Sequence, residues 1–241
     1  MILLQYIRSL VFNLSMYLAM LVLGIVFLPY ALISADGALK ACQTYCRYVI
    51  WTARWMIGLR VEVRGTPPSA EALVAAKHQS FFDIIVIFGA VPRGKFIMKA
   101  ILMYAPIIGQ YGLRIGCVPV NRGKRGQAVA KMLDDVKRGL QRPGQLIIYP
   151  QGTRVAPGAT RPYKVGTAVL YEQLGQPCYP IATNIGVFWP KRGVLRRPGT
   201  AVVEFLPPIP AGLSREDFME QLETQIETRS NALMREAGFD G

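Results

Sequence analysis

Leu73-Val74-Ala75-Ala76-Lys77-His78-Gln79-Ser80-Phe81-Phe82-Asp83 passes from strand to helix within eleven residues. Four small apolar residues make a buried β-run, and a polar turn follows at once. Ser80 is a good N-cap and Asp83 then falls at N3, so a helix opens inside the stretch. Strand, turn and helix in direct succession are the unit of a layered α/β fold. Working outward, further β-type runs lie at residues 60–63, 95–98, 117–120, 145–149, 179–182 and 201–205. Helical patterns fall at 126–140, 164–174 and 214–237, the last opened by Ser214 with Asp217 at N3. The alternation predicts an α/β domain over residues 59–241, with a mostly parallel sheet layered with helices.

In such sheets, ligands bind beyond the C-terminal strand ends. Three polar clusters occupy those places, at 77–83, 121–126 and 150–154. The first holds His78, the chain's one histidine. A free imidazole titrates near pH ~6.5 and accepts a proton at neutral pH. On an ideal helix, side chains five apart diverge by about 140°. His78 and Asp83 meet only if His78 sits in the turn before the helix and Asp83 in its first turn. Asp83 then either completes a capping box with Ser80 or holds the imidazole N–H. Asn121-Arg122-Gly123 places a guanidinium at a strand end, a natural fork for phosphate. Pro150-Gln151-Gly152-Thr153-Arg154 has the make-up of a phosphate-gripping turn, with Gly152 for close approach, a Thr153 hydroxyl and the Arg154 charge.

Residues 1–58 have a different character. From Val11 to Ile33, 23 positions carry no charge. As one helix they reach about 34 Å, enough for a hydrocarbon core of about 30 Å, with Gly24 and Pro29 as kink points. A second helix is expected over 38–58, with Lys40, Arg47 and Arg54 on one stripe. Its other side carries Cys42, Tyr45, Cys46, Val49, Ala53, Met56 and Ile57. That side suits the lipid interface or the face of the following domain equally well. Positive charge after the segment places the body on the cytoplasmic side of the inner membrane.

Mean hydropathy is +0.26 and net charge +13, a pairing that suits a protein on anionic lipid better than a nucleic-acid binder. Between Arg93 and Lys164 stand fourteen Lys or Arg against two acids, which points to an anionic partner. The four cysteines form no CxxC pair and read as small buried hydrophobes. One histidine also argues against the usual zinc enzymes, and no metal is expected.

Taken together, the clusters resemble the motifs of the glycerolipid acyltransferase family, which includes bacterial 1-acyl-glycerol-3-phosphate acyltransferases. His78-Gln79-Ser80-Phe81-Phe82-Asp83 is similar to its first motif, His, four residues, then Asp. Cys117-Val118-Pro119-Val120-Asn121-Arg122 is similar to the second, and Tyr149-Pro150-Gln151-Gly152-Thr153-Arg154 to the third, Phe-Pro-Glu-Gly-Thr-Arg. Tyr179-Pro180-Ile181 fits the fourth. Two positions depart: Lys77 stands for the usual Asn, and Gln151 for the usual Glu, which keeps the hydrogen-bonding capacity but not the charge.

The resemblance implies His78 as base and Asp83 as its orienting partner, with Arg122, Gln151, Gly152, Thr153 and Arg154 binding substrate. It implies transfer of a fatty acyl group from a thioester to the sn-2 hydroxyl of 1-acyl-glycerol-3-phosphate, giving phosphatidate. The donor is acyl-CoA or acyl-carrier protein, no cofactor is needed, and membrane lipids rather than nucleic acid are the surroundings. Two other readings stay open. One is an acyltransferase for another lyso-lipid, such as lyso-ornithine lipid. The other is a membrane-anchored lipid- or nucleic-acid-binding protein without catalysis.

Overall fold

The computed structural model describes residues 2–120, 126–127, 130, 134 and 143–239. Arg122 lies outside the described residues, as does most of the helix expected over 126–140, of which Gly126, Gln127, Ala130 and Asp134 are helical. The described strands are β1 (Leu59–Arg64), β2 (Ala72–Ala76), β3 (Gly94–Lys99), β4 (Val118–Val120), β5 (Gln145–Ile148), β6 (Cys178–Thr183) and β7 (Gly199–Phe205). They form one sheet in the order β1-β7-β6-β2-β5-β3-β4. Every pairing is parallel except β6 with β7. The mostly parallel α/β fold is therefore as the alternation predicts. β2 is buried at all five positions and lies between β5 and β6, as expected for the centre of a sheet covered on both faces.

Because strand side chains alternate, β2 feeds both sides of the core. Val74 and Ala76 join Ile147, Ile181 and Val203 under one helical layer. That layer comprises α1 (Ile2–Val26), α3 (Ala35–Thr52) and α4 (Phe82–Ala90), which contribute Phe12, Met16, Cys46, Val49, Phe82 and Ile87. Leu73 and Ala75 face the opposite way with Leu146 and Ile148. There they meet α6 (Gly166–Leu174) and, after the short α7 (Ile185–Phe188), α8 (Arg215–Glu236), through Leu170, Tyr171, Phe218, Leu222 and Ile226. Ser214 caps α8 as expected, its hydroxyl accepting the Asp217 N–H at 3.1 Å.

The N-terminal segment departs from a single apolar rod. α1 begins at Ile2 and ends at Val26; α2 (Leu28–Ile33) follows with Pro29 in its first turn, where a missing N–H costs least. α1 runs as one helix through Gly24. The bare backbone of Gly24 admits Ile107, whose Cγ2 would lie 2.9 Å from a Cβ there. α3 starts earlier than expected and continues as a π-turn over Ala53–Ile57. Cys46, Val49, Ala53 and Ile57 are buried in the shared core, so this side of α3 packs on the body, while Trp51 and Trp55 stay exposed. α1 is also fastened to the body. Gln5 donates to Ile57 and Arg196 carbonyls at 3.0 and 2.8 Å, and the Ser9 hydroxyl accepts the Arg196 N–H at 2.9 Å. Near the other end, the Tyr111 hydroxyl of α5 (Ile108–Arg114) donates to the Gly24 carbonyl at 2.7 Å.

Candidate active site

His78 lies just past the C-terminal end of β2, and Asp83 in the first turn of α4. Nδ1 of His78 is 3.1 Å from Oδ2 of Asp83. A carboxylate only accepts, so Nδ1 carries the proton and Nε2 is left as the basic nitrogen. The same Oδ2 accepts the backbone N–H groups of Gln79 and Ser80, each at 2.7 Å. The Ser80 hydroxyl in turn accepts the Phe82 N–H at 3.2 Å. The regular helix starts at Phe82, with Phe81 rather than Ser80 at the N-cap, so of the expected capping box only the Asp83 bond to the Ser80 N–H is made. The two roles open to Asp83 thus coexist on one oxygen. Asp83 is fully buried, and the His78 side chain is 12% exposed.

The imidazole lies flat on Tyr149, with ring centroids 3.9 Å apart and planes 19° apart. Tyr149 continues onto Phe96, at 6.4 Å and 12°. Burial pushes the Tyr149 hydroxyl well above its ordinary pKa, and the Asp83 carboxylate adds to the shift. Tyr149 therefore stays neutral beside the imidazole.

β5 is the parallel neighbour of β2, so its C-terminal end delivers residues 149–154 beside His78. The Val155 N–H donates to the His78 carbonyl at 2.7 Å, locking the two loops together. Gly152 takes φ +69° in a tight turn, with its N–H on the Tyr149 carbonyl at 2.8 Å. A Cβ on Gly152 would lie 2.9 Å from Nζ of Lys164, so this ammonium rests against the turn. The Lys164 N–H closes the loop on the Pro150 carbonyl at 3.0 Å. Arg154 donates to the Lys191 carbonyl at 3.3 Å, and the Lys191 ammonium returns to the Arg154 carbonyl at 2.9 Å.

Among the candidates read from sequence, the segment of Gly152, Thr153 and Arg154 lies beside that of His78 and Asp83 through the Val155 bond, with the Arg154 guanidinium on the Lys191 carbonyl. Gln151 is placed differently: it is buried and donates to the Arg161 carbonyl at 3.3 Å, bracing the loop from inside. Sequence reasoning passed over Tyr149, Lys164 and Lys191. Lys164 sits one residue past Tyr163, at the edge of a helical pattern, and only loop closure reveals its place. The described residues hold no group of three or more His, Cys, Asp or Glu able to bind a metal.

An imidazole bonded to a buried carboxylate, beside a glycine turn flanked by Lys164 and Arg154, is an arrangement able to take a proton from a hydroxyl. An acyltransferase family model matches residues 60–184, which contain both loops, and the chain belongs to this family. It is 30% identical over 163 residues to a 1-acyl-sn-glycerol-3-phosphate acyltransferase of Pseudomonas aeruginosa, a match covering 67% of this chain and 63% of that protein. It is 29% identical over 200 residues to the human 1-acyl-sn-glycerol-3-phosphate acyltransferase alpha, covering 81% of this chain and 71% of that one. The fold is similar to the crystal structure of the 1-acyl-sn-glycerophosphate (LPA) acyltransferase PlsC from Thermotoga maritima. The TM-score is 0.79 at 22% identity, over 95% of this chain and 97% of that one.

Proposed function

We propose that this protein transfers a fatty acyl group from an acyl thioester to the sn-2 hydroxyl of 1-acyl-glycerol-3-phosphate, yielding phosphatidate for phospholipid synthesis. The observation that carries this reading is the 2.7 Å bond from Val155 N–H to the His78 carbonyl, which fixes the base beside the Gly152-Thr153-Arg154 turn. A phosphate gripped by Arg154 and Lys164 sets the neighbouring hydroxyl against Nε2 of His78.

The His78 nitrogen takes the hydroxyl proton as the oxygen bonds to the thioester carbonyl carbon. Asp83 stabilises the imidazolium that forms. Collapse of the tetrahedral intermediate breaks the C–S bond, and the imidazolium returns its proton to the leaving thiolate. The products are the ester and a free thiol, on CoA or acyl-carrier protein. Proton transfer of this kind contributes about 10²–10⁴-fold and calls for no resident cofactor or metal.

Membrane association fits the surface. α1 is 25 residues long with mean hydropathy 2.1 over its most apolar window, and Leu3, Leu10, Leu14, Leu18, Leu21 and Ile25 are exposed. Hydrogen bonds to the body near both ends hold α1 alongside it, which favours sideways entry into one leaflet over a full crossing. Ile101, Tyr104 and Ile108, beside Lys99, extend the same kind of surface. The cytoplasmic face of the inner membrane agrees with the cations that follow α1 and α2.

An acceptor without phosphate, such as lyso-ornithine lipid, draws support only from Gln151 replacing a carboxylate. Gln151 faces the interior of its loop, so that replacement leaves the cationic turn unchanged. The test offers purified protein lysophosphatidate and lyso-ornithine lipid in parallel, each with acyl-CoA and acyl-carrier protein, and follows thiol release. Turnover is expected with lysophosphatidate and absent in His78→Ala. Turnover with lyso-ornithine lipid alone would overturn the assignment.

A further inference from the structure

The residues flanking His78 are both anchored by α8. Lys77 is 2% exposed, and its ammonium lies 2.7 and 2.6 Å from the two carboxylate oxygens of Glu227. Oε1 of Glu227 also accepts the Tyr163 hydroxyl at 2.8 Å. Tyr163 is buried, and it immediately precedes Lys164, which closes the glycine turn on Pro150. On the other flank, the Gln79 side chain accepts the Gly186 N–H at 3.0 Å and donates to the Met234 sulfur at 3.2 Å. Ser230 accepts the Thr183 N–H at 3.3 Å. Glu227, Ser230 and Met234 recur at helical spacing and so share one face of α8.

One carboxylate therefore touches two loops. Through Lys77 it holds the segment that carries the base, and through Tyr163 the segment that carries the phosphate-gripping turn. Charge-assisted bonds to a nearly water-free ammonium are short and directional, which suits them to fixing a separation. Burial and the Glu227 charge both push the Tyr163 hydroxyl above its ordinary pKa, so it remains a donor. Glu227 lies beyond the 60–184 span of the family match, on an element outside that span.

We propose that Glu227 is a positioning residue that sets the distance between His78 and the phosphate-gripping turn, and so aligns the acceptor hydroxyl with the base. The proposal rests on the acyl-transfer reading. It requires that loss of Glu227 act on kcat, because the phosphate site itself stays assembled while the hydroxyl is misplaced. A misplacement of about 1 Å costs up to about 100-fold in rate.

The test compares Tyr163→Phe, Glu227→Leu and the double variant Lys77→Met/Glu227→Leu in full-length protein, with lysophosphatidate as acceptor. Tyr163→Phe, which removes one hydrogen bond, is expected to lower kcat about threefold or more with acceptor KM within about twofold. Glu227→Leu is expected to lower kcat about tenfold or more and to lower Tm, since it strands a buried ammonium. The double variant removes that charge, so Tm recovers while kcat stays low. Recovery of wild-type kcat together with Tm in the double variant would reduce Glu227 to a charge partner and overturn the proposal. So would a rise in KM at unchanged kcat in Tyr163→Phe. If Glu227→Leu fails to fold, the other two variants decide. Wild-type protein assayed alongside separates the two ideas, because its failure to turn over lysophosphatidate would sink the acyl-transfer reading instead.

Discussion

Oδ2 of Asp83 lies 3.1 Å from Nδ1 of His78 and is also the acceptor for the Gln79 and Ser80 N–H groups. One buried oxygen thus shapes the turn before α4 and holds the imidazole. Folding of the loop and preparation of the imidazole are a single event, so a substitution must be read for both effects.

Asp83→Asn separates them. An amide oxygen in the place of Oδ2 still accepts the two backbone donors, but it has no charge to stabilise an imidazolium. We expect kcat to fall about 10²–10⁴-fold with Tm nearly unchanged. Asp83→Ala adds unsatisfied buried N–H groups, at about 1–3 kcal/mol each, and lowers Tm as well. His78→Ala should abolish turnover, with no second histidine to substitute. Thermal melts beside steady-state kinetics check all three, and an unimpaired Asp83→Asn enzyme would refute the orienting role.

Tyr149 supplies a ring rather than a hydroxyl. Its oxygen is buried without a protein partner among the described residues, whereas its ring stacks on His78 at 3.9 Å. Tyr149→Phe should keep full activity and match or exceed wild-type stability, by about 1 kcal/mol, as the cost of burying the hydroxyl disappears. Tyr149→Leu should lose kcat about tenfold, because the imidazole loses its flat support. Equal activity in the two variants would contradict this.

At Gly152 two constraints act together. φ is +69°, and a Cβ would lie 2.9 Å from the Lys164 ammonium. Gly152→Ala should therefore displace Lys164 and strain the turn, raising acceptor KM about tenfold at a stability cost of about 1 kcal/mol or more. Arg154→Ala should raise the same KM, and added sulfate should inhibit wild type more than Arg154→Ala.

The cysteines give a pH prediction. Burial raises Cys42 to about 12 and Cys117 to about 11, from 9.0 for the free thiol, and pushes Cys46 and Cys178 up further. A folded-state pKa above the unfolded one contributes stability that is complete below pH 9.0 and lost as pH rises through the folded values. Tm should decline from about pH 9 upward, and iodoacetamide at pH 8 should label Cys46, Cys117 and Cys178, which are buried, only after denaturation. Rapid labelling of native protein would show the thiols to be accessible.

Much of the site was legible along the chain. His78 and Asp83 are five residues apart, and their meeting is a matter of local turn geometry and capping, which short-range spacing expresses. The Ser214 cap was readable for the same reason. The side of α3 was not: its apolar stripe suited lipid and protein alike, and only the presence of α1 and α4 against it settled the matter. Gln151 read as a substrate contact from its place beside Gly152 and Thr153; in the fold it is buried and donates to the Arg161 carbonyl, a pairing that no local pattern shows.

By itself, the amino-acid sequence determined the strand and helix alternation, the HxxxxD pair and the glycine turn, because each depends on residues within one turn or one strand of each other. Tertiary structure alone decided which loops meet. β2 lies between β5 and β6, strands that begin 73 and 106 positions after it, and that order brings Tyr149 under His78 and Val155 onto its carbonyl. Glu227 reaches Lys77 across 150 positions, and Ser9 reaches Arg196 across 187. Such contacts are fixed by burying two faces of one sheet at once, a condition on the whole chain that no local pattern encodes.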